Sequence, residues 1–179
     1  MIFYSRAHSG NCMKIRLLLN LLKKEYTEVP LSDMSADIPL GKVPVLRHPS
    51  GIVSESMAIL YFLAQGTIYM PEKLVELLQW LSFEQSEIQN SIGCARYIIR
   101  EKIADSKLKT YQYNAHRAIK ILDAHLKDRP FIIDHFSIAD IALYPYLFLA
   151  EEANINTRDY EHVTIWLARL TNIFTFSTR

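Results

Sequence analysis

Ser9-Gly10-Asn11-Cys12 stands where a short apolar run gives way to helical periodicity. A dithiol redox site at such a junction needs C-x-x-C; here the spacing survives, but serine replaces the first cysteine. Exchange between a dithiol and a disulfide requires two sulfurs, so this site cannot perform it alone. Cys12 then has two readings: a small apolar residue packed on the first helix, or a single thiol able to form a mixed disulfide. Ser9 likewise caps the helix or supplies a hydroxyl to chemistry at its N-terminus. Tyr4, at the end of the preceding apolar run, is another hydroxyl within reach in sequence. The six histidines show no H-E-x-x-H spacing, and C-x-x-C…C-x-x-C is absent, so no metal is predicted. Neither G-x-x-x-x-G-K-[ST] nor G-x-G-x-x-G occurs, which removes the common phosphate-binding loops.

The elements that must position these residues follow from periodicity. Ile2 to Tyr4 is β-branched and aromatic and reads as a strand. "CMKIRLLLNLLKK" places Ile15, Leu18, Leu19 and Leu22 on one helical face, with lysines at the negative pole of the helix dipole. "EYTEVPL" reads as a second strand, so the chain opens with a right-handed parallel strand–helix–strand unit. "SDMSADIPLG" is polar and broken by Pro39 and Gly41, with room for one turn of helix. "VPVLRH", the turn "PSG" and "IVS" form a β-hairpin. "ESMAILYFLAQG" is a helix stopped by Gly66. From residue 72 onward the turn signals nearly vanish. One helical period runs over 72–103 and another over "SKLKTYQYNAHRAIKILDAHLK". A third follows the capping box Ser137-x-x-Asp140, with Phe136 and Ile141 as its staple. "RDYEHVTIWLARLTN" is the last helix.

Bulk properties bound the class. The chain has 179 residues, half of them apolar and 11% aromatic, enough for a sizeable core without disulfides. Two cysteines make no disulfide framework. The first residues lack the apolar core of a signal peptide, and no apolar run reaches the ~18 residues of a membrane helix. A cytoplasmic protein with no membrane partner is expected. The net charge of +1 provides no global attraction to nucleic acid.

The order β-α-β-(short)-β-β-α, followed by helices alone, resembles the layout of the cytosolic glutathione S-transferase superfamily, bacterial type. "SGNCMKIRLLLNLL" resembles the first helix of those enzymes and "GKVPVL" their glutathione-site strand. "SESMAILYFLA" resembles the helix that holds the γ-glutamyl group, while "LQWLSFEQ" and "FSIADIALYPY" resemble the helical domain. The resemblance implies an α/β thioredoxin-like N-terminal domain over 1–66, with a βαββα core and a shortened second helix. It implies a linker over 67–71 and an all-α helical bundle over 72–179. One departure stands out: only eleven residues separate Val29 from Gly41, and Ile38 stands where the family often has asparagine before proline.

The resemblance also implies a chemistry. Glutathione would be the co-substrate, attacking a small hydrophobic electrophile or a peroxide, in a homodimer and without a metal. Its thiol titrates near a free cysteine, about 8.5. Lowering that by ~2 units takes about 2.7 kcal/mol of preference for the anion. A hydroxyl donating to the ionised sulfur supplies ~1.5–3 kcal/mol and a helix N-terminus another ~0.3–1, so Ser9 would be the catalytic donor. Val43 and Pro44 would be the cis-proline strand that pairs with the tripeptide backbone, or an ordinary strand start. Glu55 and Ser56 would hold the ammonium and carboxylate of the γ-glutamyl group, or cap their helix. Lys42 would meet the glycine carboxylate or remain solvated, and Asn11 has a weaker claim on glutathione. His8, Arg96 and Tyr97 would edge the acceptor pocket. Two other functions fit the same frame: a non-catalytic binding or regulatory protein, and a glutathione-dependent isomerase or thiol transferase using Cys12.

Overall fold

The computed structural model describes residues 1–31, 38 and 41–177. The turn of helix expected between Val29 and Gly41 falls on residues outside that set. The first strand, β1 (Ile2–Ser5), lies inside a four-stranded sheet of order β2-β1-β3-β4, with β2 spanning Thr27–Pro30, β3 Val45–His48 and β4 Gly51–Ser54. β2 runs parallel to β1, as the intervening helix α1 (Gly10–Leu21) requires, and the β3–β4 hairpin is antiparallel. Pairing sets Phe3 opposite Leu46 and Tyr4 opposite Val45. Alternation then sends Phe3 and Leu46 into the main core with Ile15, Leu18 and Leu19 of α1 and Ile59 and Leu60 of α2 (Ser56–Ala64). Tyr4 and Val45 join Ile38 in a small cluster of their own. The Val43–Pro44 bond is cis, as the resemblance implies, and Gly66, at φ +71°, ends α2 where expected.

The helical half begins with one long rod. Its first part, α3 (Leu74–Phe83), and its last, α4 (Cys94–Arg100), are α-helical, but Glu84–Gly93 between them is wound more widely as a π-helix. This corrects the single α period expected over 72–103: apolar spacing alone does not separate a 3.6-residue turn from a slightly wider one. Helices α5 (Leu108–Leu126), α6 (Ile138–Phe148) and α7 (Glu161–Ser177) complete the bundle. The capping box of α6 forms: Asp140 Oδ2 accepts from the Ser137 N–H at 3.0 Å, and Ser137 Oγ accepts from Ala139 N–H at 3.3 Å. Asp140 does more than the box requires. Buried, it also accepts from Ile132 N–H and from Trp166 Nε1, and so ties the α5–α6 connection and α7 to the start of α6. Among the described residues no helix is long and apolar enough to cross a membrane.

The two halves meet at a charge pair. Lys14 of α1 and Glu84 of the π-helical turn are both fully buried, 2.7 Å apart. Asn11 Oδ1 also accepts from Lys14 Nζ, at 2.8 Å, and Gln85 Nε2 donates to the other Glu84 oxygen. Burial lowers the Lys14 pKa and raises that of Glu84, and their mutual attraction opposes both shifts. Each charge persists there because the other does. Lys14→Met, which leaves Glu84 alone, should destabilise the protein by about 3–5 kcal/mol in urea unfolding, and Lys14→Met with Glu84→Leu should recover most of that loss.

Candidate active site

A cleft of about 650 Å³ opens between the sheet domain and the helical bundle. Its floor is the β1–α1 loop, Arg6 to Ser9, with Gly10 at the start of α1. Gly41, Lys42 and Val43 line it from the sheet domain, and Gly93, Arg96, Tyr97, Arg100 and Tyr146 from the bundle. Of the residues singled out in the sequence, Ser9, His8, Lys42, Val43, Arg96 and Tyr97 line this space; Asn11, Pro44, Glu55 and Ser56 do not. Glu55 and Ser56 still lie close to the Val43 edge, because pairing of Val45 with Ser54 brings the end of β4 beside the start of β3. Asn11 is bound to Lys14 at the domain junction.

Ser9 sits at the N-cap of α1 in extended conformation, its Oγ accepting from Cys12 N–H at 3.2 Å. The cap uses a lone pair and leaves the hydroxyl hydrogen to donate elsewhere. The first turn of α1 contains no acidic side chain, so the positive pole of the helix is open to an anion arriving from the cleft. Ser56 is 2% exposed, and its Oγ has no hydrogen-bond partner among the described residues. It starts α2, preceded by Glu55 at φ 70°, a left-handed conformation that costs a non-glycine residue energy. A buried hydroxyl without a partner at a helix N-terminus suits a carboxylate ligand.

Tyr4 and Cys12, the other hydroxyl and thiol candidates, do not line the cleft. Tyr4 is 9% exposed within the apolar cluster of Ile38 and Val45 and does not line the cleft. Cys12 is fully buried and accepts from Arg6 N–H; burial pushes its thiol pKa up. Burial also raises Cys94, with Asp105 adding to the shift.

Two features of the site escaped the sequence. Tyr146 of α6 is buried, with the hydroxyl end of its ring wedged between Gly10 and Gly93: a Cβ at either glycine would lie about 3.0 or 2.9 Å from its Cε1. Gln89, Cys94, Tyr111 and Ile103 line a further cavity of about 380 Å³ that shares Gly93, Tyr97 and Tyr146 with the cleft. The only sequence trace of the wedge is a pair of glycines at helix positions, and a helical glycine by itself names no partner. The placement of the thiols predicts that a neutral alkylating reagent at neutral pH modifies Cys94 in the folded protein and Cys12 only after denaturant is added, as read by mass spectrometry. Rapid native labelling of Cys12 would contradict it.

Comparison with known proteins agrees with the architecture. Residues 3–66 match the model of the glutathione S-transferase N-terminal domain, and residues 103–179 that of the C-terminal domain. The crystal structure of a possible glutathione S-transferase from Rhodopseudomonas palustris is 31% identical and superposes with a TM-score of 0.88, over 96% of this chain and 93% of that one. A glutathione transferase family member from Pseudomonas fluorescens Pf-5, solved with two glutathione bound, is 24% identical with a TM-score of 0.79, over 94% of this chain and 86% of that one, and shares the fold. Elongation factor 1-gamma of Carassius auratus is 30% identical over 148 residues, 76% of this chain but 33% of the relative. The chain spans about a third of the length of the curated relatives it matches. The thioredoxin-like sheet, the helical bundle and these matches together place the chain in the glutathione S-transferase superfamily.

Proposed function

We propose that the chain is a glutathione transferase that binds glutathione along the sheet-domain edge of the cleft and activates its thiol through Ser9. The observation that carries this reading is the Ser9 hydroxyl at the open N-terminus of α1, facing a cleft whose other wall belongs to the helical bundle. Ser56 and its N–H would take the γ-glutamyl carboxylate and Glu55 the ammonium, which gives the unpartnered Ser56 hydroxyl a use. Val43 would pair with the tripeptide backbone, and Lys42, exposed at the rim, would meet the glycine carboxylate. The sulfur then lies at Ser9, where a donated O–H and the helix pole favour the thiolate. The thiolate attacks a substrate entering past His8 and Tyr97. At an electrophilic carbon it forms a C–S bond as the leaving group departs with its electron pair. At a peroxide it takes the distal oxygen, so that the O–O bond breaks, the sulfur is oxidised to sulfenic acid and the alkoxide leaves as alcohol after protonation. Residues 1–66 serve as the glutathione-binding domain and 72–179 as the acceptor-binding domain. The buried, proton-retaining Cys12 weighs against the isomerase or thiol transferase reading.

The frame also supports a homodimer. Met57, Ala58 and Tyr61 of α2 and Leu78 and Leu81 of α3 line an apolar groove, flanked by the exposed Leu74 and Val75. In light scattering, Leu78→Glu should convert the dimer to a monomer.

A second reading rests on the curated relatives, which are elongation factors by name: the same fold acting as a binding module without glutathione chemistry. A thermal shift with millimolar glutathione separates the two, since only the transferase is stabilised. Under the transferase reading, Ser9→Ala raises the pKa of bound glutathione toward about 8.5. A donor to the thiolate lowers the pKa, so the variant's loss is largest below about pH 7 and shrinks as pH rises through the free-thiol value. The expected fall in kcat/KM near pH 6.5 is between about tenfold and a hundredfold. A flat ratio of wild type to variant across pH would count against Ser9.

A further inference from the structure

Arg6, Ala7 and His8, which lead into Ser9, are exposed, yet the backbone around them is held from both sides. From the sheet domain, Arg16 Nη2 donates to the Arg6 carbonyl at 3.2 Å and to Ser5 Oγ at 3.0 Å, while its Nε bonds Glu28 at 2.7 Å. From the bundle, Arg96 Nη2 and Arg100 Nη1 both point at the carbonyl of His8, at 3.5 and 3.4 Å. His8 is the residue before Ser9. Arg96 is 5% exposed, and its guanidinium is seated by Glu152, whose Oε2 accepts from Nε at 3.1 Å and from Nη2 at 2.6 Å. Arg100 is instead an exposed side chain paired with its neighbour Glu101.

We infer that Arg96, seated by Glu152 and seconded by Arg100, is a positioning residue that holds the His8 carbonyl, and through it the Ser9 hydroxyl, from the helical domain. The inference rests on the reading of Ser9 as donor to the thiolate. A hydroxyl on a loop with three exposed residues needs fixing if it is to meet a sulfur at hydrogen-bond distance, because a displacement of about 1 Å costs up to ~100-fold in rate. A guanidinium fits this role because its fork reaches a carboxylate and a carbonyl together, whereas an ammonium keeps the charge without that fork. Nη2 carries two hydrogens, so it serves Glu152 Oε2 and the His8 carbonyl together, while Nε adds a second bond to Glu152. Activation of the thiol on the sheet domain therefore depends on a side chain of the bundle. The charged groups facing the same cleft are Arg6, His8, Lys42, Arg100 and Glu101, and Arg96→Lys leaves all of them and its own charge in place.

The test compares wild type, Arg96→Lys and Glu152→Ala by two readouts. Glu152 is half-exposed, so its truncation reports on the brace even if the buried Arg96→Lys folds poorly; urea midpoints check that both variants fold. The first readout is hydrogen–deuterium exchange over residues 5–12, which needs no ligand. Both variants should speed exchange of the Ser9 and Cys12 amides at least about tenfold, with the β3–β4 hairpin unchanged. The second is the ultraviolet absorbance of glutathione thiolate on the saturated protein, with steady-state kinetics. The thiolate fraction should fall, and kcat with it by between about tenfold and a hundredfold, while acceptor KM stays within about threefold. Unchanged exchange in both variants overturns the inference, as does a loss confined to acceptor KM. Faster exchange in the variants of a protein that binds no glutathione supports the tether and overturns the transferase reading instead.

Discussion

The fully buried pair of Lys14 and Glu84 is the constraint on which the arrangement of the two halves depends. An ammonium and a carboxylate inside protein are costly apart and tolerable only in contact. α1 and the π-helical turn can therefore pack in one register, the one that brings those groups together. Tyr146 enforces the same register by shape: its ring lies 5.0 Å from Lys14 Nζ and fills the space that the absent side chains of Gly10 and Gly93 leave. Charge and shape meet within one turn of the N-terminus of α1, and the cleft opens at that point.

The location has a chemical consequence. The N-terminus of α1 supplies a positive pole and the Ser9 hydroxyl; the bundle supplies the opposite wall and two guanidiniums directed at the backbone just before Ser9. An anion held at Ser9 would sit where neither domain alone provides a complete environment. Asp140 plays a parallel part farther off: it gathers Trp166, Ile132 and Ser137 around the start of α6 and so fixes the helix that carries Tyr146.

Much of the fold was legible in the sequence because it is encoded locally. β-Branched and aromatic content and turn signals announced the strands, the 3.6-residue period the helices, Gly66 the end of α2 and Ser137-x-x-Asp140 the start of α6. The π-helical winding of Glu84–Gly93 was not legible, since a slightly wider turn preserves nearly the same apolar face. At the site, Ser9, Lys42, Val43, His8, Arg96 and Tyr97 were named from sequence and do line one cleft. Tyr146 was hidden in an apolar helix, where a tyrosine looks like core. Lys14 was hidden as well, because a lysine beside an apolar stripe ordinarily extends to water.

By itself, the sequence determined the elements and their order, the serine in place of the first cysteine at the helix start, and the family that this order resembles. Each follows from interactions within a few residues of one another. Tertiary structure alone decided that Lys14 is buried against a carboxylate seventy residues away, that Asn11 bonds that lysine, that Cys12 is sealed in the core, and that Arg96 reaches the carbonyl beside Ser9. Those outcomes depend on which side chains meet across the domain junction, and packing between distant segments leaves no periodic trace in either segment.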